Sequence, residues 1–198
     1  MKTQKLTLFN SLSKKKEVLE PINPPKIGMY VCGPTVYGPG HLGHARTYVS
    51  FDIIRKWLEH SGFKVKFIIN ITDVHDKVKE DTDIDKYTKE FIKDLKTLNV
   101  KKVDSYTRVS EHIEEIKEMV DELLEKGYAY KVGDDIYYDT SKFKGYGKLS
   151  RRKLEEAKTG TRVDTDEYER EEAADFALWK GDRPGWHIEC SAMSRKYL

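Results

Sequence analysis

Two histidines with a spacing suited to nucleotide chemistry follow a Gly/Pro-rich stretch early in the chain. His41-Leu42-Gly43-His44 comes after residues 33–40 and opens a run with helical periodicity. Backbone N–H groups and the helix dipole make such a junction an anion site. We expect His41 and His44 to donate hydrogen bonds to phosphate oxygens, where negative charge grows during nucleotidyl chemistry. A metal-binding pair and an ordinary capped helix start remain alternative interpretations of the same spacing.

The sequence contains two cysteines, Cys32 and Cys190, which are far apart along the chain. A cytosolic protein rarely keeps a structural disulfide. Counting alone therefore favours two unrelated buried thiols.

Composition limits the class of protein. Of the 198 residues, 38% are hydrophobic and 35% are charged, and the net charge is +2. This balance fits a globular chain with its own core, and the small net charge predicts no nucleic-acid partner by itself. No apolar run approaches the roughly 20 residues of a membrane helix, and the N-terminus lacks a secretory signal. We expect a cytoplasmic protein without a membrane partner.

The histidine motif is flanked by a predicted βαβ unit. The apolar run Ile27–Cys32 predicts a buried strand, and apolar residues three and four apart over 45–58 predict a helix that Gly62 ends. The β-branched run Val65–Ile71 predicts a second strand. Strand, helix and strand at this spacing predict a parallel pair with a right-handed crossover.

After Asp76 the pattern changes from strand–helix alternation to helices. Helical stripes cover residues 84–98 and 111–126, with Ser110 as the predicted N-cap and Gly127 just past the second helix.

Beyond these helices, Tyr128–Val132 and Asp135–Tyr138 flank Gly133-Asp134, which predicts a hairpin. Residues 141–170 are polar, which predicts a mobile segment. We expect residues 100–180 to form an insertion outside the parallel sheet.

The motifs resemble those of one known family. His41–His44 resembles the HIGH signature of class I aminoacyl-tRNA synthetases, with Leu42 in place of the usual Ile. Its surroundings are similar to cysteinyl-tRNA synthetases, and the similar segments are residues 29–37, 70–74, 175–180 and 183–193. The similarity runs from Leu6 to the last residue, although His75 stands where the family commonly has Asp.

The resemblance implies an α/β fold, a Rossmann-like class I synthetase catalytic domain. Residues 1–99 would form the first half of its parallel sheet, residues 100–180 an α+β connective-peptide insertion, and residues 181–198 a return to the catalytic domain. It also implies a cysteine–tRNA ligase that makes cysteinyl-adenylate from ATP and transfers the amino acid to tRNA(Cys).

The resemblance further implies site residues and cofactors. ATP, with Mg²⁺, would be bound by Gly40, His41, Leu42, Gly43 and His44, of which the two histidines would be catalytic. Zinc would be bound by Cys32 and Cys190, and it would select cysteine over serine because Zn²⁺ takes a thiolate readily and a hydroxyl poorly. The amino-acid pocket would contain Gly33, Thr72, Trp186 and His187.

The sequence stops before the family's His/Glu zinc ligands and its KMSKS loop. We therefore expect the 198-residue chain to be an incomplete portion that binds zinc weakly and does not activate cysteine by itself. Two other functions remain open. They are an ATP-dependent ligase joining cysteine to an amino sugar, and a non-catalytic truncated synthetase paralogue.

Overall fold

The computed structural model describes residues 5–150 and 175–198. These residues contain three β-sheets and four α-helices. The elements are β1 Thr7–Asn10, β2 Lys15–Val18, β3 Lys26–Val31, α1 Leu42–His60, β4 Lys64–Ile71, α2 Ile84–Thr97, β5 Ser105–Arg108, a 3₁₀ turn Val109–His112, α3 Ile113–Glu125, β6 Ala129–Val132, β7 Asp135–Tyr138, β8 Phe176–Lys180, β9 Arg183–Pro184 and α4 Ile188–Tyr197. Most of the polar segment predicted at 141–170 lies outside the described residues.

The predicted βαβ unit is present. Strands β3 and β4 pair in parallel, with Met29 opposite Phe67, and α1 connects them. The last five residues of β4 are all buried because the strand lies in the middle of the sheet and is covered on both faces. One face packs on α1 and α2 through Phe67, Ile69 and Phe91. The α/β fold class is therefore confirmed.

The parallel sheet has a third strand that the sequence analysis did not predict. Strand β5 pairs in parallel with β4, with Tyr106 opposite Ile69. The expectation that residues 100–180 stay outside this sheet is therefore wrong for residues 105–108. Ser-Tyr-Thr-Arg is too short and too polar to signal a strand, and it becomes one by pairing with the buried edge of β4.

The start of the third helix also differs from the prediction. Ser110 is not its N-cap but lies in the 3₁₀ turn, and His112 precedes the first α-helical residue. The cause is Asp73, at the end of β4, whose carboxylate accepts from the Ser110 N–H at 2.9 Å and from its hydroxyl at 2.6 Å. Gly127 follows the helix with φ of 72°, which fits the predicted position past its C-terminus.

An antiparallel sheet with the order β6-β7-β8-β9 follows α3. The predicted hairpin is its first strand pair, with Tyr130 opposite Tyr137. The sheet continues to Pro184, just past the predicted end of the insertion at residue 180. Helix α4 then packs against α3 and this sheet in a second apolar core that includes Ile116, Leu178 and Met193.

The N-terminal hairpin β1–β2 was not predicted either. All of its residues are exposed, so neither strand carries the alternation of a half-buried strand. None of the described helices is long and apolar enough to cross a membrane.

A buried arginine ties α1 to the segment that leads into β5. The Arg55 side chain is 3% exposed, and it donates to the Lys102 carbonyl at 2.7 Å and to Asp104 at 3.1 Å. We expect Arg55→Ala to lower the free energy of unfolding by about 2 kcal/mol, because it removes a buried side chain together with its hydrogen bonds to Lys102, Asp104 and Glu59. Urea denaturation would measure the loss.

A matched control is Arg108→Ala, which removes a more exposed arginine that pairs with Asp85. Its cost should stay below about 1 kcal/mol, the usual range for a surface ion pair. Equal losses for the two variants would contradict the structural role assigned to Arg55.

Candidate functional site

The loop that follows β3 is fixed to the end of β4. The Gly33 N–H donates to Asn70 Oδ1 at 2.7 Å, and Asn70 Nδ2 donates to Thr72 Oγ1 at 2.9 Å. A Cβ on residue 33 would lie 1.5 Å from the Asn70 carbonyl oxygen, so only glycine fits here. This close approach holds Cys32 at the carboxyl edge of the parallel sheet, where open α/β folds bind ligands.

Helix α4 brings two further groups to the same edge. His187 immediately precedes the helix and has a left-handed backbone, with φ of 54° and ψ of 9°. Cys190 follows three residues later, and this spacing places both side chains on one side of the first turn. The antiparallel sheet fixes the approach to the helix, because the Trp186 N–H donates to the Ala177 carbonyl at 2.9 Å.

Cys32, His187 and Cys190 form a compact cluster. The two sulfur atoms are 3.5 Å apart, and His187 Nδ1 lies 3.9 Å from the sulfur of Cys32 and 3.8 Å from that of Cys190. A tetrahedral zinc ion about 2.3 Å from each sulfur requires a sulfur–sulfur separation of about 3.8 Å. The spacing and the donor set, two thiols and an imidazole, fit a soft divalent metal such as Zn²⁺.

The cluster also favours deprotonation of one thiol. Cys190 donates toward Cys32, and this hydrogen bond lowers the pKa of Cys32 to about 5. The same contact and burial raise the pKa of Cys190, because its proton would have to leave beside an existing thiolate. The hydrogen bond to Cys32 raises the pKa of His187.

The sequence analysis did not predict the side chains that contact the two cysteines of the cluster. Tyr48 donates its hydroxyl proton to the Cys32 carbonyl at 3.2 Å, and Glu189 Oε1 lies 3.9 Å from the Cys190 sulfur. Glu189 is 8% exposed, and burial raises its pKa to about 6. Two features of the sequence could have indicated residues around the cluster. Asn70 is a polar residue within an apolar strand, and Glu189 is a charged residue between His187 and Cys190.

The histidine pair caps the first helix. His41 Nδ1 accepts from the Gly43 N–H at 3.1 Å, and His44 Nδ1 accepts from the His41 N–H at 3.3 Å. The rings stack with centroids 3.8 Å apart. Burial, and then the neighbouring His41, lower the pKa of His44, which favours a neutral ring. Because Nδ1 serves as an acceptor in both rings, each ring can donate from Nε2, and an Nε2–H group is suited to a phosphate oxygen.

The predicted site residues fall into two groups. Cys32, Gly33, Thr72, His187 and Cys190 come together around Asn70. The segment from Gly40 to His44 forms the other group at the start of α1, where Leu42 is 85% exposed. Across the described parts of the chain, no hydrogen bond or ring contact joins the two groups. Trp186 is 63% exposed beside His187.

The parallel sheet β3-β4-β5, with α1 connecting β3 to β4, has the architecture of an α/β domain of the Rossmann type. Residues 18–198 match the family described as the class I (C) tRNA synthetase catalytic domain. The chain belongs to this family.

Relatives of this chain extend well beyond it. It is 49% identical to the cysteine–tRNA ligase of Pyrococcus horikoshii over 216 aligned residues, which cover 98% of the chain and 45% of the relative. It is 46% identical to that of Methanococcus maripaludis (strain DSM 14266), with 98% of the chain and 45% of the relative covered. It is 45% identical to the cysteine–tRNA ligase of a Geobacillus species (strain WCH70), and the alignment covers 98% of the chain and 46% of that relative. The chain thus spans less than half the length of these relatives.

A solved structure shares the fold at low identity. A putative arginyl-tRNA synthetase from Campylobacter jejuni superposes with a TM-score of 0.56 at 15% identity, over 89% of this chain and 45% of that one. The likeness supports the α/β synthetase fold.

The cluster geometry predicts how metal binding depends on its members. We expect Cys32→Ser and Cys190→Ser each to weaken binding of Co²⁺, a spectroscopic substitute for Zn²⁺, by more than about 100-fold, because each removes a thiolate ligand. Titration followed by the thiolate-to-cobalt absorption band would measure the affinity.

The matched control is Ser191→Ala, a change next to Cys190 that removes a hydroxyl donating to the His187 carbonyl. It should bind Co²⁺ like the unmodified chain. An unchanged cobalt spectrum in Cys190→Ser would show that the metal, if bound, sits elsewhere.

Proposed function

We propose that the protein to which this chain belongs activates cysteine with ATP and transfers it to tRNA(Cys). The observation that carries this proposal is the Cys32–His187–Cys190 cluster, built at the carboxyl edge of a sheet whose first helix starts with a capped histidine pair. The cysteine–tRNA ligases that resemble the chain over 98% of its length support the same substrate.

The cluster provides the selectivity for cysteine. Cysteine and serine differ by sulfur against oxygen, a difference too small for a shape-based pocket to exploit fully. A bound Zn²⁺ would supply a Lewis acid that prefers the substrate thiolate to a serine hydroxyl. Cys32 and Cys190 would hold that ion, and Gly33 and Thr72 keep the loop and strand that carry Cys32 in register.

The histidine pair would act on ATP, which we expect to bind with Mg²⁺. In this proposal the cysteine carboxylate attacks the α-phosphate, the bond to the β-phosphate oxygen breaks, and pyrophosphate leaves. The Nε2–H groups of His41 and His44, with the positive end of the α1 dipole, would stabilise the negative charge that grows on the phosphate oxygens. Stacking and capping fix both rings beforehand, so no reorganisation is needed during the reaction.

The test uses the protein at the full length of its gene. It should catalyse cysteine-dependent exchange between ATP and pyrophosphate, should reject serine, and should charge tRNA(Cys). We expect His44→Ala to slow the exchange by about 10²–10³-fold, the loss typical for one charge-stabilising donor.

A control is His60→Ala, which removes the last residue of the same helix. It should leave the exchange rate unchanged. Absence of exchange in the unmodified protein, or transfer of cysteine to an amino sugar in preference to tRNA, would contradict the proposed function.

A further inference from the structure

A buried tyrosine of the parallel sheet lies on the same face of the sheet as helix α4. Successive residues of a strand point to opposite faces of its sheet. Met29 of β3 packs in the core with α1 and α2, whereas Tyr30 packs in the second core with α4. The Tyr30 hydroxyl is shielded from solvent and makes no hydrogen bond with any residue that the structure describes. A buried hydroxyl without a partner is costly, which indicates a role at the adjacent site.

The neighbour of this hydroxyl is Cys190, in the first turn of α4. Burial, and next the charge of Cys190, raise the pKa of the Tyr30 hydroxyl. Cys32 and Glu189 act in the same direction and less strongly. The hydroxyl therefore keeps its proton, and it is a neutral O–H donor on the side of the sheet where Cys190 lies.

The other contacts of the Cys190 sulfur suit a thiol and not a thiolate. An S–H group at this position has three acceptors, which are the Cys32 sulfur at 3.5 Å, Asn70 Oδ1 at 3.8 Å and Glu189 Oε1 at 3.9 Å. A metal-bound cysteine is a thiolate, which has no proton to donate. It would lie among two oxygen acceptors and a second thiolate, and these groups disfavour its negative charge. A hydrogen-bond donor is therefore needed at this sulfur.

We propose that the Tyr30 hydroxyl donates a hydrogen bond to the Cys190 thiolate when the cluster holds its metal. Tyr30 is then a positioning residue, which contacts the ligand and neither the metal nor the substrate. His187, the other possible donor beside Cys190, is itself a candidate metal ligand. The hydrogen bond orients the sulfur and reduces the charge that it gives to the metal, which leaves a stronger Lewis acid for the substrate thiol. The inference rests on the proposed function, in which this site selects cysteine.

The test compares the full-length protein with its Tyr30→Phe variant, which lacks only the hydroxyl. Co²⁺ titration, followed by the thiolate-to-cobalt absorption band, should show binding weakened by about 10–100-fold. The band should also move to longer wavelength, because a thiolate without this hydrogen bond transfers charge to the metal more easily. A hydroxyl that served only the fold would leave the position of the band unchanged.

Urea denaturation of the protein after chelation of its metal separates the two roles. The hydroxyl makes no hydrogen bond with the described residues, so its loss should not lower the midpoint of unfolding. The matched control is Tyr106→Phe, which removes a phenolic hydroxyl from β5 on the face packed against α1 and α2. This variant should bind Co²⁺ like the unmodified protein, with the same absorption band.

Unchanged cobalt affinity and band position in Tyr30→Phe, or equal changes in Tyr106→Phe, would overturn the proposal. A loss of stability in the chelated Tyr30→Phe protein as large as its loss of metal affinity would also overturn it. Cysteine-dependent pyrophosphate exchange, with cobalt binding that depends on Cys190 and not on Tyr30, would refute only the role of Tyr30. A Tyr30 effect on cobalt binding in a protein without exchange would refute only the proposed activation of cysteine.

Discussion

The contact between Gly33 and Asn70 is the constraint on which the site depends. Asn70 is fully buried in the central strand, and its amide accepts from the Gly33 N–H and donates to Thr72. A buried amide that loses a partner is costly, so its side chain has one favourable orientation. That orientation brings the loop after β3 against the strand, fixes Cys32, and leaves Oδ1 3.8 Å from the Cys190 sulfur.

The cluster is consequently assembled from two structural units. Cys32 comes from the parallel sheet, whereas His187 and Cys190 come from the chain that follows the antiparallel sheet. Helix α4 packs on α3, and the shared core also includes Tyr30 of β3. Movement between the two sheets would therefore change the distances within the cluster, so packing of α4 and geometry of the site are linked.

Sequence predicted the parts of this architecture that long apolar patterns specify. Helix α1 and strand β4 were evident because their periodicity continues for many residues. Strand β5 was not, because a four-residue polar strand depends on its neighbour for its structure. The proximity of Cys32 and Cys190 agrees with the shared metal site that the resemblance to cysteinyl-tRNA synthetases implied. The place of His187 beside the two sulfurs was not predictable, because it requires a left-handed backbone that a non-glycine residue adopts only in a specific tertiary context.

Both helices that begin at the site use histidine where Ser, Thr, Asp or Asn is the usual N-cap. At α1, His41 still provides an acceptor for a backbone N–H, so the cap and the donor role coexist in one ring. At α4, His187 makes no side-chain cap bond, and its left-handed backbone costs about 1–2 kcal/mol. A Ser or Asp with ordinary backbone angles would start α4 at a lower free energy. This less favourable helix start coincides with an imidazole that lies 3.9 Å from the Cys32 sulfur and 3.8 Å from the Cys190 sulfur, and local backbone strain of this kind clusters at functional sites.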